Sequence, residues 1–348
     1  MNERTLDEIV SVLTGNSAVI TDWYEAVGFM ECHRIAGLFY NRAKQSGMEL
    51  PKKISSVLRT RFELQKRRVN LLRIYITELS NALSKANAKH IFLKGSVFSN
   101  SEKFGIYADG ERSSNDIDLL VKPTELTAVS DELLKLGYVQ GEYHAGTGEI
   151  KKYGREEIIR RRMTRGEVAP FVKLTNDKEN PFIEIDINFS LGNTPSDYQE
   201  LLSEMVDTRI HENGKAPMFI ADNEMFFIHL IMHQHKESVL YMSVERGKDL
   251  DLYKLADIYY LWNGSFLDKK RLQRIVKQYN LEKEVGAVCS QVAAVFRDGS
   301  LEEISECYGK EQPQVLDYFR KKKYCWTAGV RERILKFNGI EFLREAIE

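Results

Sequence analysis

The sequence predicts an α+β protein. A small strand-bearing core, residues 89–215, lies between an N-terminal helical region, residues 1–88, and a C-terminal helical domain, residues 216–348. Two observations lead there. Apolar residues recur at helical spacing before residue 88 and again after about 216. Between those limits they form short runs or strict alternations, which is the period of strands.

Taken in order, "ECHRIAGLFYNRAKQSG" shows an apolar stripe closed by a glycine stop. In "VLRTRFELQKRRVNLLRIYITELSNALSKAN", Leu72, Ile76, Leu79 and Leu83 form a second stripe, expected to pack in a core. "HIFL" (90–93) and "DIDLLV" (116–121) read as short strands, followed by a helix and turn in "DELLKLGYVQ". "PFVKL" (170–174) and "FIEIDINF" (182–189) continue the strand pattern. The basic stretch 150–168 is expected to be a helix or an excursion between strands. Asp222 is a plausible N-cap for the helical "NEMFFIHLIMHQHKE".

Composition narrows the class. The 348 residues are 43% hydrophobic, and 50 basic residues balance 51 acidic ones. That balance argues against a dedicated nucleic-acid binder, for which a basic excess is expected. No apolar run reaches membrane-spanning length and no signal peptide is visible, so the expected address is cytoplasmic. Cys32, Cys289, Cys307 and Cys325 lack metal-ligand spacing and are expected to be reduced thiols.

The chemistry is concentrated in residues 92–121. Asp116 and Asp118 stand two apart in an apolar strand, so both carboxylates project from one face while Ile117, Leu119 and Val121 turn to the other. Carboxylates this close repel unless a cation lies between them. Such a pair suits Mg²⁺, which keeps waters and takes further ligands from substrate phosphates. A third acid would complete a two-ion site for displacement at phosphorus. "IEIDIN" offers Glu184 and Asp186, again on one face. Upstream, "LKGS" holds what a nucleoside triphosphate needs: Gly95 for close backbone approach, Ser96 as a phosphate donor and Lys94 as a point charge. Arg112, Ser113 and Ser114 could add phosphate contacts.

The order Gly-Ser, Asp-x-Asp in a strand and a later third acid resembles the polymerase-β-like nucleotidyltransferase superfamily. The wording "HRIAGLFYNRA", "LKG", "RSSNDIDLLV", "IEIDINFSL", "HLIMHQH" and "LADIYYL" resembles its nucleotidyltransferase_5 branch of uncharacterised bacterial proteins. The resemblance implies a small mixed β-sheet nucleotidyltransferase core with flanking helices, two Mg²⁺ ions and ATP or another nucleoside triphosphate. It also favours Asp186 over Glu184 as the third acid. The implied reaction is transfer of a nucleoside monophosphate, AMP from ATP by first choice, with release of pyrophosphate. The expected acceptor is a hydroxyl or similar nucleophile on a small molecule, peptide or protein. A toxin-like enzyme acting on tRNA and an inactive nucleotide-binding module are the alternatives. Where the branch commonly has a histidine, this chain has Asn188.

His229 and His233 have the spacing of a zinc-hydrolase pair, but Leu230 occupies the place of the required glutamate. His233 and His235 read either as nucleotide or acceptor contacts or as half-buried, satisfied histidines. Asp257 reads as an ion pair with a histidine or arginine of the preceding helix, or else as a base for the acceptor. Arg160, Arg161, Arg162 and Arg165 read as a solvated face with phosphate contact as the alternative. "FRKKKYCW" (319–326) reads as a basic helix covering the core, with base stacking as the alternative.

Overall fold

A computed structural model describes residues 2–346, apart from the side chains of Thr164 and Arg165. The chain forms two compact units. One comprises residues 65–109 and 114–226, and the other residues 1–64, 110–113 and 227–348. The sequence reading cut the chain into three consecutive regions. By compactness, the helices at the two ends of the chain fall in one unit.

The first unit carries a six-stranded mixed sheet. Its strands are β1 (His90–Phe92), β2 (Ile117–Val121), β3 (Val139–His144), β4 (Glu149–Lys152), β5 (Phe171–Leu174) and β6 (Phe182–Asn188). Their order is β1-β2-β6-β5-β3-β4, and only β2 and β6 run parallel. The register sets Ile117 against Ile185, Asp118 against Asp186 and Leu119 against Ile187. Along β6, Ile183, Ile185 and Ile187 are buried, while Glu184, Asp186 and Asn188 are only partly buried. That is the period-2 pattern of a sheet with one dry face. The expected stripe is buried too: Leu72, Ile76, Leu79 and Leu83 of helix Lys52–Lys85 are at most 3% exposed. Each such side chain contributes about 1.5–3 kcal/mol by leaving water.

The twenty residues from Ser96 to Asp116 are tied down at several points. Phe98, Phe104, Tyr107 and Phe226 form an aromatic cluster with centroids 5.1–6.2 Å apart. Arg73 donates to the Ser99 carbonyl at 2.7 Å and to Asn100 Oδ1 at 3.0 Å. It also forks onto both oxygens of Asp109 at 2.9 and 2.6 Å. Hydrogen bonds from Arg73, helped by Lys215, hold the Asp109 carboxyl down at about 2.

The second unit is mostly helical. Asp222, at the end of the first unit, caps helix Asn223–Ser238 as expected, accepting from the Met225 amide at 3.0 Å. Residues 319–326 correct the sequence reading of a basic helix. Lys322–Trp326 is the middle strand of a three-stranded sheet, paired with Val315–Asp317 and Leu343–Glu345. Asp317 Oδ1 accepts from the amides of Phe319 and Arg320, and Lys321 adopts φ +53°, so a tight turn forms where a helix would need unbroken α torsions. The basic residues 155–165 do form a helix. Glu157 engages Arg160 and Arg161 on that helix, while the Arg165 side chain lies outside the described residues.

In this unit "HRIAGLFYNRA" grips residues 110–113. Asn41 Nδ2 donates to Glu111 at 2.8 Å, and Arg42 Nε lies 3.3 Å from the same carboxylate, which is buried. Gly37 lets the backbones touch: a Cβ there would stand 2.3 Å from the Gly110 carbonyl oxygen. Gly110 itself has φ +95°, and a Cβ on it would meet the Phe62 carbonyl at 2.7 Å.

Candidate active site

Seven of the predicted site residues belong to the sheet unit: Lys94, Gly95, Ser96, Ser114, Asp116, Asp118 and Asp186. β2 begins one residue later than expected, so Asp116 stands immediately before its first residue. Asp118 is 5% exposed, a carboxylate in a strand whose five residues are all buried.

Register brings the acids of the two strands together. Asp118 and Asp186 are direct partners in a parallel pair and share a face, with strands about 4.8 Å apart. Continuing that register one step sets Asp116 beside Glu184. Both acids offered by "IEIDIN" therefore stand next to Asp-x-Asp.

The electrostatics agree with that square. Burial foremost, then Asp118, Asp116 and Glu184, push the Asp186 carboxyl well above the usual aspartate range, against the pull of Lys94. Burial also raises Glu184, reinforced by Asp116, Asp118 and Glu142 and opposed by Arg68. The cation at hand is Lys94, whose Nζ lies 2.7 Å from Asp118 Oδ1.

Helix Lys94–Asn100 follows β1 directly. The left-handed torsion here is on Lys94, at φ +47°, and not on the glycine that follows it. That turn swings the chain from strand to helix and sets Gly95 and Ser96, both buried, in the first helical turn. Ser96 Oγ is buried with no hydrogen-bond partner among the described residues. A hydroxyl in that condition costs about 1–3 kcal/mol unless something arrives to bond it.

Sequence reasoning missed Arg68. It is buried on helix Lys52–Lys85, donates Nη1 to the Phe182 carbonyl at 2.9 Å, and donates Nη2 to the Asn115 carbonyl. One turn earlier, Gln65 Nε2 donates to the Ser114 carbonyl at 3.2 Å. The spacing of Arg68 was the available signal, because it lies four residues before Leu72 and extends the buried stripe, whereas Lys66 and Arg67 fall off it. Only the fold shows which groups it meets there.

Arg112 and His233 belong to the other unit. Arg112 forks onto Asp257, with Nε 2.9 Å from both carboxylate oxygens and Nη2 2.7 Å from Oδ2. Asp257 thus has the buried ion pair expected of it, though with Arg112 and not with a residue of the preceding helix. Arg112 and Arg34 also flank the Tyr253 ring at 5.0 and 4.8 Å. His233 Nε2 lies 3.6 Å from Glu237 Oε2, and its ring stacks on His229 at 6.3 Å. Burial lowers His235.

Among the described residues, no group of three or more acid, histidine or cysteine side chains stands where it could hold a metal ion as the side chains lie. The donor set still fits an ion of the Mg²⁺ kind. Hard carboxylate oxygens crowd one face at a cost that a divalent cation would relieve, and such ions take remaining ligands from water and phosphate. A triphosphate would likewise satisfy the buried Ser96 hydroxyl.

The sequence matches the family model described as uncharacterised nucleotidyltransferase over residues 20–297. No curated protein matches it. Among solved structures, an antigenic nucleotidyltransferase-like protein from Paracoccidioides brasiliensis is similar at 15% identity and a TM-score of 0.34. The likeness covers 65% of this chain and 97% of that one. No helix among the described residues is long and apolar enough to cross a membrane.

Proposed function

The chain belongs to the family of uncharacterised nucleotidyltransferases, and from that premise we propose that it transfers a nucleoside monophosphate, AMP from ATP by first choice, to a hydroxyl on a small molecule, peptide or protein. The supporting observation is the pairing of Asp118 with Asp186 across parallel strands.

Asp116, Asp118 and Asp186 would hold Mg²⁺, with Glu184 beside them. When bound, Mg²⁺ neutralises phosphate charge and acidifies the attacking hydroxyl. Ser96 Oγ donates to a phosphate oxygen, and Lys94 brings its charge to the same rim. Asp186 doubles as the base that receives the acceptor's hydroxyl proton. The acceptor oxygen bonds to the α-phosphorus as the bond to pyrophosphate breaks. Positioning and charge compensation supply the catalysis. Retention of all the acids favours chemistry over nucleotide sensing alone.

The test is calorimetric titration of the four nucleoside triphosphates, with Mg²⁺ and then with EDTA, on wild type and Asp118→Asn. Metal-dependent binding of at least one triphosphate, weakened by the substitution, is expected. Binding that ignores both EDTA and the substitution would refute the metal site. A sensor would bind without ever releasing pyrophosphate across an acceptor screen.

A further inference from the structure

Arg68 makes an unusual use of its charge. A buried guanidinium usually forks onto a carboxylate. Here both terminal nitrogens go to backbone carbonyls, those of Asn115 and Phe182. Asn115 is the residue before Asp116. Phe182 opens β6, two residues ahead of Glu184. Because β2 and β6 are parallel neighbours, these carbonyls lie at the same end of the pair.

The neighbouring helix residues act on the same segments. Gln65 holds the Ser114 carbonyl, and Arg67 Nη1 lies 2.8 and 2.9 Å from the two carboxylate oxygens of Glu179, in the loop that leads into β6. The helix is itself seated by the buried Leu72, Ile76, Leu79 and Leu83. A planar fork reaching two strands from a fixed helix sets their lateral spacing and their offset along the strand direction. A lysine, with one ammonium, could not hold both carbonyls in a plane.

We propose that Arg68 is a positioning residue that clamps the leading ends of β2 and β6 and thereby sets the carboxylate square for its metal. The metal consequence rests on the nucleotidyltransferase reading; the clamp does not. Groups that orient metal ligands without touching the ion typically govern metal affinity by 10–100-fold.

Two measurements test it on the full chain. In hydrogen exchange, Arg68→Met should speed exchange about tenfold or more in peptides spanning 115–119 and 182–186, with β1 and β5 little changed. Unchanged exchange there overturns the clamp. With Mn²⁺ as a spectroscopic probe and no turnover, Arg68→Met and Arg68→Lys should each weaken binding about tenfold or more. Leu83→Ala, a core loss of the same kind about four turns away near the far end of that helix, should leave Mn²⁺ affinity at the wild-type value.

If Leu83→Ala weakens binding equally, or if Arg68→Lys binds like wild type, the positioning role is refuted. Should Arg68→Met not fold, Arg68→Lys carries both measurements. Wild type that binds no Mn²⁺, or Asp118→Asn that binds it equally well, would sink the metal-site reading, while the exchange result would still decide the clamp.

Discussion

Replacing Asp186 by asparagine should make the protein more stable and less able to hold metal. Register places Asp186 against Asp118, and neighbouring strands lie about 4.8 Å apart. Two carboxylates about 5 Å apart repel by about 3 kcal/mol at an effective dielectric constant of 20. Asp116 and Glu184 add to the repulsion, and Lys94, 2.7 Å from Asp118, offsets part of it. Asp186 escapes another part by holding its proton. A net gain of about 1–2 kcal/mol at pH 8 remains, or a rise of several degrees in melting temperature for domains of this size. The direction with pH follows from the raised carboxyl: ionisation disfavours the fold once pH passes the unfolded value of 3.8 and climbs through the folded one. The advantage of Asp186→Asn should therefore grow from pH 4 to pH 8. The assay is thermal melting across that range, with and without millimolar Mg²⁺. Mg²⁺ should raise the wild-type midpoint and leave the variant unmoved. A variant that melts below wild type at pH 8, or that gains as much from Mg²⁺, would show that Asp186 is a supported structural acid.

Three further outcomes are expected. Ser96→Ala should be neutral or slightly stabilising, because the hydroxyl it removes is buried and unpartnered, yet it should weaken triphosphate binding about 5–10-fold by calorimetry; unchanged affinity would remove Ser96 from the phosphate site. Asp257→Asn should cost about 3–5 kcal/mol in urea unfolding by leaving Arg112 uncompensated, and Arg112→Met with Asp257→Leu should recover most of the loss. Asp257→Asn with wild-type stability and no turnover would make it a base instead. Burial lowers His90 to about 4, so the unfolded chain takes up a proton between pH 6.5 and 4 that the folded one refuses. Stability from this group is present above pH 6.5 and is lost by up to about 3 kcal/mol on acidification. The melting temperature of His90→Phe relative to wild type should climb over that interval, and parallel pH profiles would contradict it.

The strands that carry acids were legible because each broke an apolar alternation with a charge, a local signal needing no partner. So were the buried stripe of the long helix and the Asp222 cap. Three features were not. Whether Glu184 or Asp186 joins the aspartates is a matter of pairing between segments over sixty residues apart, and register turns that choice into a square containing both. Arg68 extends the buried stripe by one turn, but the helical period does not say that backbone carbonyls of two strands wait for it there. The hairpin at 319–326 was misread because its basic residues mask the turn chemistry of Asp317, a single carboxylate collecting two amides.

The parallel pairing of β2 with β6 also orders events during synthesis. Residues 122–181, with three strands and the basic helix, must leave the ribosome before β6 exists to lie against β2. Until then Asp116 and Asp118 lack their counterparts, so on the proposed reading a nascent chain has no assembled centre. A slip of one residue in that late pairing would drive Asp118 or Asp186 towards the apolar face and isoleucines into water. Misaligned chains would thus be poorly folded as well as inactive, and cellular quality control would remove the defective catalysts without having to recognise the site itself.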